Sequence, residues 1–172
     1  AALAGAALLL AATVAGGLAL SDDGVSGGVI FDLALDPAGL PAEVRARFPH
    51  LAGLAALKLP AEAVTIAPDL LRGDLAVSAA KDGVRLDATS LQLPGVLDDL
   101  YLYGGRLGLT FAGAAPTLRV WAPTARSVSL HLFDGPGPGA AETVVPMTLD
   151  GATGTWVAAG TPGWTGKYYL YE

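Results

Sequence analysis

The stretch that decides the fold is residues 117–133, which read TLRVWAPTARSVSLHLF. Apolar and polar side chains alternate in 117–121 and again in 127–133, with Ala122-Pro123 after the first run. Alternation with a period of two is typical of a β-strand that has one face in a core. The pattern predicts two strands whose inward side chains are Leu118, Val120, Val128, Leu130 and Leu132.

Three more strands are predicted downstream, at 143–149, 155–158 and 167–171. Turn residues recur about every 8–12 residues, which is the spacing expected of a β-sandwich. Since no helix of ordinary length separates these strands, a parallel α/β sheet is not expected.

The upstream part of the chain is also predicted to be mostly β. Strands are expected at 29–35 and 54–59, and a hairpin across Asp82-Gly83 joins 74–80 to 84–93. The Asp-Gly pair indicates the hairpin because it supplies the positive φ of a tight turn. Residues 41–48 predict a short helix, with a proline in its first turn.

Together these elements predict an all-β fold of two tandem β-sandwich, immunoglobulin-like domains with one or two short helices. The first domain is expected to span residues 16–105 and the second 106–172, with the second truncated before its end. Residues 1–15 form an apolar segment that is assigned to neither domain.

The first twenty residues contain only Ala, Leu, Gly, Thr and Val. They just reach the length of a membrane span, but Ala and Gly insert weakly and no basic or aromatic anchor flanks them. A signal-peptide core is a second interpretation, although a basic n-region is missing. We favour two strands, 7–15 and 17–20, joined at Gly16-Gly17, and expect no membrane partner.

The composition excludes several classes of function. The chain has 172 residues and a net charge of −6 with only ten Lys and Arg, so no nucleic-acid partner is expected. The absence of Cys excludes a disulfide framework, a thiolate metal site and a cysteine nucleophile. Two histidines, His50 and His131, are too few for a multi-histidine centre, so no metal and no cofactor is predicted.

Short motifs give little support for catalysis. Residues 24–28 match G-x-S-x-G, but a nucleophile elbow needs a helix after the serine, and a strand is predicted there. Residues 135–139 are rich in Gly, but no helix N-terminus follows them to bind phosphate. His131 lies on the outward face of its strand, where it is expected to be an exposed polar residue or, alternatively, to contact a ligand.

Six Trp and Tyr residues lie in the last 52 residues: Trp121, Trp156, Trp164, Tyr168, Tyr169 and Tyr171. Sugar rings have flat apolar faces that stack on aromatic side chains, so an aromatic platform on a β-sandwich predicts a glycan site. Core packing is the competing explanation, because aromatic residues supply much of a small β core. Trp164 is the best candidate for exposure because residues 162–166 read PGWTG, a turn.

Five motifs of the second domain resemble carbohydrate-binding module family 48, a module that precedes the catalytic barrel in α-glucan branching and debranching enzymes. They are residues 118–125 (LRVWAPTA), 128–133 (VSLHLF), 146–147 (PM), 154–156 (GTW) and 166–171 (GKYYLY).

The upstream runs 40–44 (LPAEV), 47–53 (RFPHLAG) and 91–101 (LQLPGVLDDLY) resemble the N-terminal domain of pullulanase and limit-dextrinase-type enzymes of glycoside hydrolase family 13. The resemblance implies a parent enzyme that hydrolyses α-1,6 branch points in pullulan, starch or limit dextrins. That chemistry uses two carboxyl groups on a (β/α)₈ barrel. No barrel strand is recognised in these residues, so we expect them to be non-catalytic.

The family resemblance also implies partners and binding residues. The expected partners are the catalytic barrel of the same parent chain and an α-glucan. Binding members of the module family use a Trp in the loop after the second strand and a Lys on the last strand. Here residues 134–141 contain no Trp and Tyr169 stands at the Lys position. The module is therefore expected to support the barrel, or to bind glucan weakly through Trp121, Trp156, Trp164 and Tyr169.

An alternative hypothesis is a stand-alone β-sandwich that serves protein interaction or adhesion. A catalytic barrel encoded after residue 172 would exclude the alternative, whereas a stop codon there would favour it. The sequence leaves both a secreted and a cytoplasmic location open and slightly favours the former.

Overall fold

The computed structural model describes residues 17–24 and 27–172. The predicted strand 7–15, Gly16, and two residues of the G-x-S-x-G match, Val25 and Ser26, lie outside the described residues. Backbone contacts divide the chain into two compact units, with the division between Asp98 and Asp99.

The described strands of the first unit form one antiparallel five-stranded sheet in the order β3-β2-β1-β4-β5. The strands are β1 (Gly17–Gly24), β2 (Gly27–Leu35), β3 (Leu57–Lys58), β4 (Asp74–Lys81) and β5 (Val84–Ser90). The β4–β5 hairpin is confirmed, and its turn residues Asp82 and Gly83 have φ of 51° and 76°. The predicted strand 54–59 is reduced to the two residues of β3.

The described residues include four short α-helices, where one or two were predicted. They are α1 (Ala42–Arg47), α2 (Ala61–Thr65), α3 (Ala67–Leu70) and α4 (Pro94–Tyr101). The predicted helix at 41–48 is confirmed as α1. Residues 94–101, for which no strand or helix was predicted, form α4, and this helix begins at Pro94. Proline is tolerated in the first helical turn because no intrahelical partner exists for its missing N–H.

A polar turn fixes the chain between β2 and α1. Asp36 accepts a hydrogen bond from the backbone N–H of Ala38 at 3.0 Å, and Lys58 lies 3.1 Å from the same carboxylate. These two contacts hold the pKa of Asp36 below its ordinary value. Beside this turn a small core forms around Leu40, Leu51 and Ala56.

The second unit is a sandwich of two antiparallel sheets, with strand orders β10-β11-β7-β6 and β12-β8-β9. Its strands are β6 (Gly108–Ala112), β7 (Ala115–Trp121), β8 (Ser129–Phe133), β9 (Glu142–Pro146), β10 (Thr148–Asp150), β11 (Thr155–Ala159) and β12 (Tyr168–Tyr171). The predicted single strand 143–149 is two strands in different sheets. The chain changes sheets at Met147, whose N–H still donates to the backbone oxygen of Val128 at 2.9 Å before β10 begins.

Inward-facing side chains of both sheets form the core of the sandwich. Leu118 on β7 is 2% exposed, Leu130 on β8 is fully buried, and Trp156 on β11 is 7% exposed. The predicted inward positions of β7 and β8 are therefore confirmed, as are the all-β class and the sandwich of the second unit. The described strands of the first unit belong to a single sheet, so stacked sheets are observed only in the second unit.

Candidate functional site

Trp121 lies on the outer face of the four-stranded sheet, away from the sandwich core. Its indole N–H donates a hydrogen bond to the backbone oxygen of Tyr101 at 2.9 Å. On the same face, the guanidinium carbon of Arg119 lies 5.2 Å from the centre of the Tyr103 ring. Trp121 and Arg119 therefore hold residues 101–103 against β7.

Trp156 is a core residue. Its ring lies between the sheets, and its indole N–H donates to the backbone oxygen of Ala122 at 3.0 Å. A buried indole needs such a partner because an unsatisfied N–H is costly. Little of the Trp156 ring is available to a ligand.

Trp164 is half-buried in a short 3-10 turn, Pro162–Trp164, so the predicted turn is confirmed. One face of its indole rests directly on Gly160. A Cβ atom at residue 160 would lie 2.7 Å from Cδ2 of the ring, closer than packed carbon atoms approach. Gly160 thus lets Trp164 lie flat against the backbone beside the sandwich core.

Tyr169 occupies the open edge of the sandwich on β12, and it is 38% exposed. Its ring meets that of Tyr171 edge to face, with centres 5.6 Å apart. Burial raises the pKa of Tyr171, and the neighbouring Tyr169 raises it further. Tyr171 packs against the sandwich core, and Tyr169 lies between Tyr171 and solvent.

An open cleft of about 610 Å³ lies between β12 and the loop after β8. Its walls are formed by Phe133, residues 135–138 and residues 167–170. The loop wall reads Gly-Pro-Gly-Pro, in which each proline fixes φ. On the opposite wall the Lys167 ammonium pairs with the carboxylate of Asp134.

A second cavity of about 70 Å³ shares Tyr169 and Lys167 with this cleft. It is also lined by Trp164 and by the apolar side chains of Leu109 and Phe111. The structure therefore brings together two of the four predicted binding residues, Trp164 and Tyr169. It places Trp121 on the other sheet and Trp156 in the core.

Sequence reasoning did not select Phe133, Lys167 or Tyr168 as site residues. Phe133 and Tyr168 face each other across the β8–β12 ladder, and this pairing depends on the fold. The sequence did contain one indication of this pairing. Phe133 and Tyr168 both occupy outward positions of predicted strands, where an aromatic side chain is available to a ligand.

In the described part of the chain, no group of three His, Asp or Glu side chains is arranged to hold a metal ion. None of the described helices has both the length and the apolar character needed to cross a bilayer.

The second unit is a β-sandwich with an aromatic cleft at its edge, and a separate β unit precedes it along the chain. Two family models match the chain: the pullulanase N2 domain over residues 1–99, and carbohydrate-binding module 48 (isoamylase N-terminal domain) over residues 106–172. The chain belongs to the pullulanase N2 domain family and carries a carbohydrate-binding module 48 after that domain.

Similar proteins are pullulanases. Pullulanase 1, chloroplastic, of Arabidopsis thaliana is 36% identical over 94% of this chain and 16% of its own length. Pullulanase of Klebsiella pneumoniae is 38% identical over 81% of this chain and 13% of its own length. The crystal structure of Klebsiella pneumoniae pullulanase complexed with maltotriose matches 90% of this chain and 16% of that chain, with a TM-score of 0.77 and 30% identity.

The chain thus spans about a sixth or less of the length of these relatives. Both matched regions correspond to the N-terminal part of such pullulanases, and the described strands form three antiparallel sheets.

Proposed function

We propose that the second unit contacts α-glucan at the cleft between β12 and the 134–141 loop. We further propose that both units support the catalytic barrel of a parent enzyme that hydrolyses α-1,6-glucosidic branch points in pullulan, starch or limit dextrins. The observation that carries the binding proposal is the convergence of Phe133, Tyr168, Tyr169 and Lys167 on one cleft.

The cleft has the chemistry that a sugar chain requires. The apolar face of a glucose ring packs on an aromatic side chain, while its hydroxyl groups need a few placed polar partners. Tyr169 and Tyr168 offer ring faces together with hydroxyl groups, and Lys167 offers donors. The proline-containing loop wall is pre-shaped, which lowers the entropy lost on binding.

Binding members of the module family have a Lys at the position of Tyr169. In this chain the nearby Lys167 provides the ammonium group instead. Both residues line the cleft, and the Lys167 ammonium, which is paired with Asp134, stands two positions before Tyr169 in the same wall. Since the loop offers no Trp, binding depends on the tyrosines and on the neighbouring Trp164.

We expect titration with maltohexaose to change the tryptophan fluorescence of the chain, because Trp164 adjoins the cleft. Tyr169→Ala should weaken binding roughly five- to twentyfold, about 1–2 kcal/mol, the order of one lost aromatic contact. The matched control is Tyr103→Ala, which removes a tyrosine that packs on Arg119 outside the cleft and should leave affinity unchanged. Absence of any fluorescence change up to millimolar ligand would reduce the role of the module to scaffolding.

The outer face of the three-stranded sheet supports a role in contact with another domain. Val144, Tyr168 and Leu170 are each more than half exposed on this face. Val144 and Leu170 flank His131 on this face, and a group of exposed apolar side chains on one face is typical of an interaction surface.

For the same reason we expect the isolated 172-residue chain to self-associate in sedimentation-velocity experiments. Val144→Lys should shift the distribution towards monomer by placing a charge on this face. A monodisperse monomer of the unmodified chain at high concentration would contradict the expectation.

We also propose that residues 16–105 and 106–172 fold as separate domains. The division of contacts at Asp98/Asp99 and the gap between the two family models, after residue 99 and before residue 106, support a boundary close to this interval.

A further inference from the structure

His131 bridges two strands that do not touch each other. It lies at the centre of β8, between β9 on one side and the edge strand β12 on the other. Its Nδ1 lies 2.5 Å from Oε1 of Glu142, the first residue of β9. Its Nε2 lies 2.8 Å from Oε2 of Glu172, which extends β12 by exchanging backbone hydrogen bonds with Ser129.

These contacts define the protonation state of the ring. An ionised carboxylate accepts hydrogen bonds and cannot donate them, so each ring nitrogen must carry a proton to bond its partner. A neutral imidazole has one proton and can satisfy only one of the two carboxylates. Only the imidazolium holds both.

We propose that His131, Glu142 and Glu172 form a proton-dependent clasp that holds β12 and β9 to β8. Because β12 is an edge strand, paired only with β8, and residues 167–170 line the cleft, release of the clasp loosens the wall of the proposed glucan site. This consequence for binding rests on the proposed function, whereas the clasp itself does not.

No other titratable side chain lies on β8 or β9, as their sequences SLHLF and ETVVP show. On β12 the remaining titratable groups are Tyr168, Tyr169 and Tyr171, and only Tyr168 shares the outer face with His131. The Phe133 ring stacks on His131, with ring centres 6.5 Å apart. Beyond Phe133, the charges of Asp134 and Lys167 compensate each other in an ion pair.

The charges give the direction of the pH effect. The hydrogen bond to Glu142 is the largest cause that raises the pKa of His131 above its ordinary value of 6.5, and Glu172 adds to it. A group whose pKa is raised on folding binds its proton more tightly in the native state. The stability that the clasp contributes is therefore complete below pH 6.5 and is lost as the pH rises through the native pKa of His131.

The test compares the unmodified 172-residue chain with H131Q, which cannot be protonated, in urea unfolding between pH 6 and pH 8.5. Tryptophan fluorescence reports the second unit, since all three Trp lie there. We expect the urea midpoint of the unmodified chain to fall over this range and H131Q to lose most of that dependence. His50 is present in both chains, so its contribution cancels.

Proton NMR gives a second readout that a merely structural role would not move. The imidazole signal that disappears in H131Q belongs to His131, and its titration midpoint should lie above pH 6.5. The midpoint should move to lower pH in both E142Q and E172Q. A midpoint at or below 6.5, or parallel pH profiles for the unmodified chain and H131Q, would overturn the clasp.

Maltohexaose affinity measured at pH 6 and pH 8.5 separates the clasp from the proposed function. Weaker binding at pH 8.5, with the loss absent in H131Q, supports the link to the cleft. No binding at either pH would overturn the glucan site and with it that link, while the unfolding and NMR results would still decide on the clasp.

Discussion

Leu130→Ala is expected to lower the free energy of unfolding of the second unit by about 3–5 kcal/mol. The Leu130 side chain is fully buried between the two sheets of the sandwich. Truncation removes its transfer free energy and leaves a cavity, and Leu→Ala changes in cores cost about 2–5 kcal/mol. The upper part of that range applies because both sheets are hydrogen-bonded ladders that cannot easily collapse into the space.

Urea unfolding followed by tryptophan fluorescence measures this loss. Val144→Ala is the matched control, since Val144 lies on the neighbouring strand but is 52% exposed on the outer face. Exposed substitutions usually change stability by less than about 0.5 kcal/mol. A loss below about 1 kcal/mol for Leu130→Ala would be incompatible with the described core.

Gly154→Ala is expected to cost about 2–4 kcal/mol. Gly154 has a φ of 64°, in the left-handed region where a side chain costs roughly 1–2 kcal/mol. A Cβ here would also lie 2.5 Å from Cβ of Pro123 and 3.1 Å from Cδ1 of Tyr101. Relieving such overpacking typically costs a further 1–3 kcal/mol. The backbone oxygen of Gly154 accepts from Ala122 at 3.1 Å, so a shift would disturb β7 as well.

The same turn provides the control for this glycine. Gly151 lies three residues earlier, and a Cβ there would meet nothing within 4 Å. Gly151→Ala should therefore change the urea midpoint little, while Gly154→Ala lowers it clearly. Equal midpoints for the two variants would show that the close approach of Pro123 does not constrain the second unit.

Local patterns predicted those parts of the fold that depend on local chemistry. The alternation in 117–121 and 127–133 placed Leu118 and Leu130 in the core because side chains of a strand alternate between faces. The Asp82-Gly83 pair predicted its hairpin because few residues adopt positive φ without strain. The motifs that resemble the pullulanase family are likewise short runs along the chain, and the family comparison confirmed them.

Local patterns failed where alternation continued across a change of sheet. Val145, Met147 and Leu149 recur at a spacing of two, as in a single strand, although β9 and β10 belong to different sheets. Residues 94–101 form α4. The sequence alone does not indicate this helix, because a short apolar run fits either a strand or a helix. In both cases the decision came from packing against other elements.

The candidate site shows the same division between local and tertiary information. The sequence by itself determined the residue types, the all-β class and the family. Only the tertiary structure decided that Trp156 is core, that Gly160 seats Trp164, and that Phe133 and Tyr168 share a wall. It also placed His131 between carboxylates 11 and 41 residues away along the chain. The physical reason is that periodicity specifies which face a side chain takes, whereas strand order and register specify which distant residue it meets.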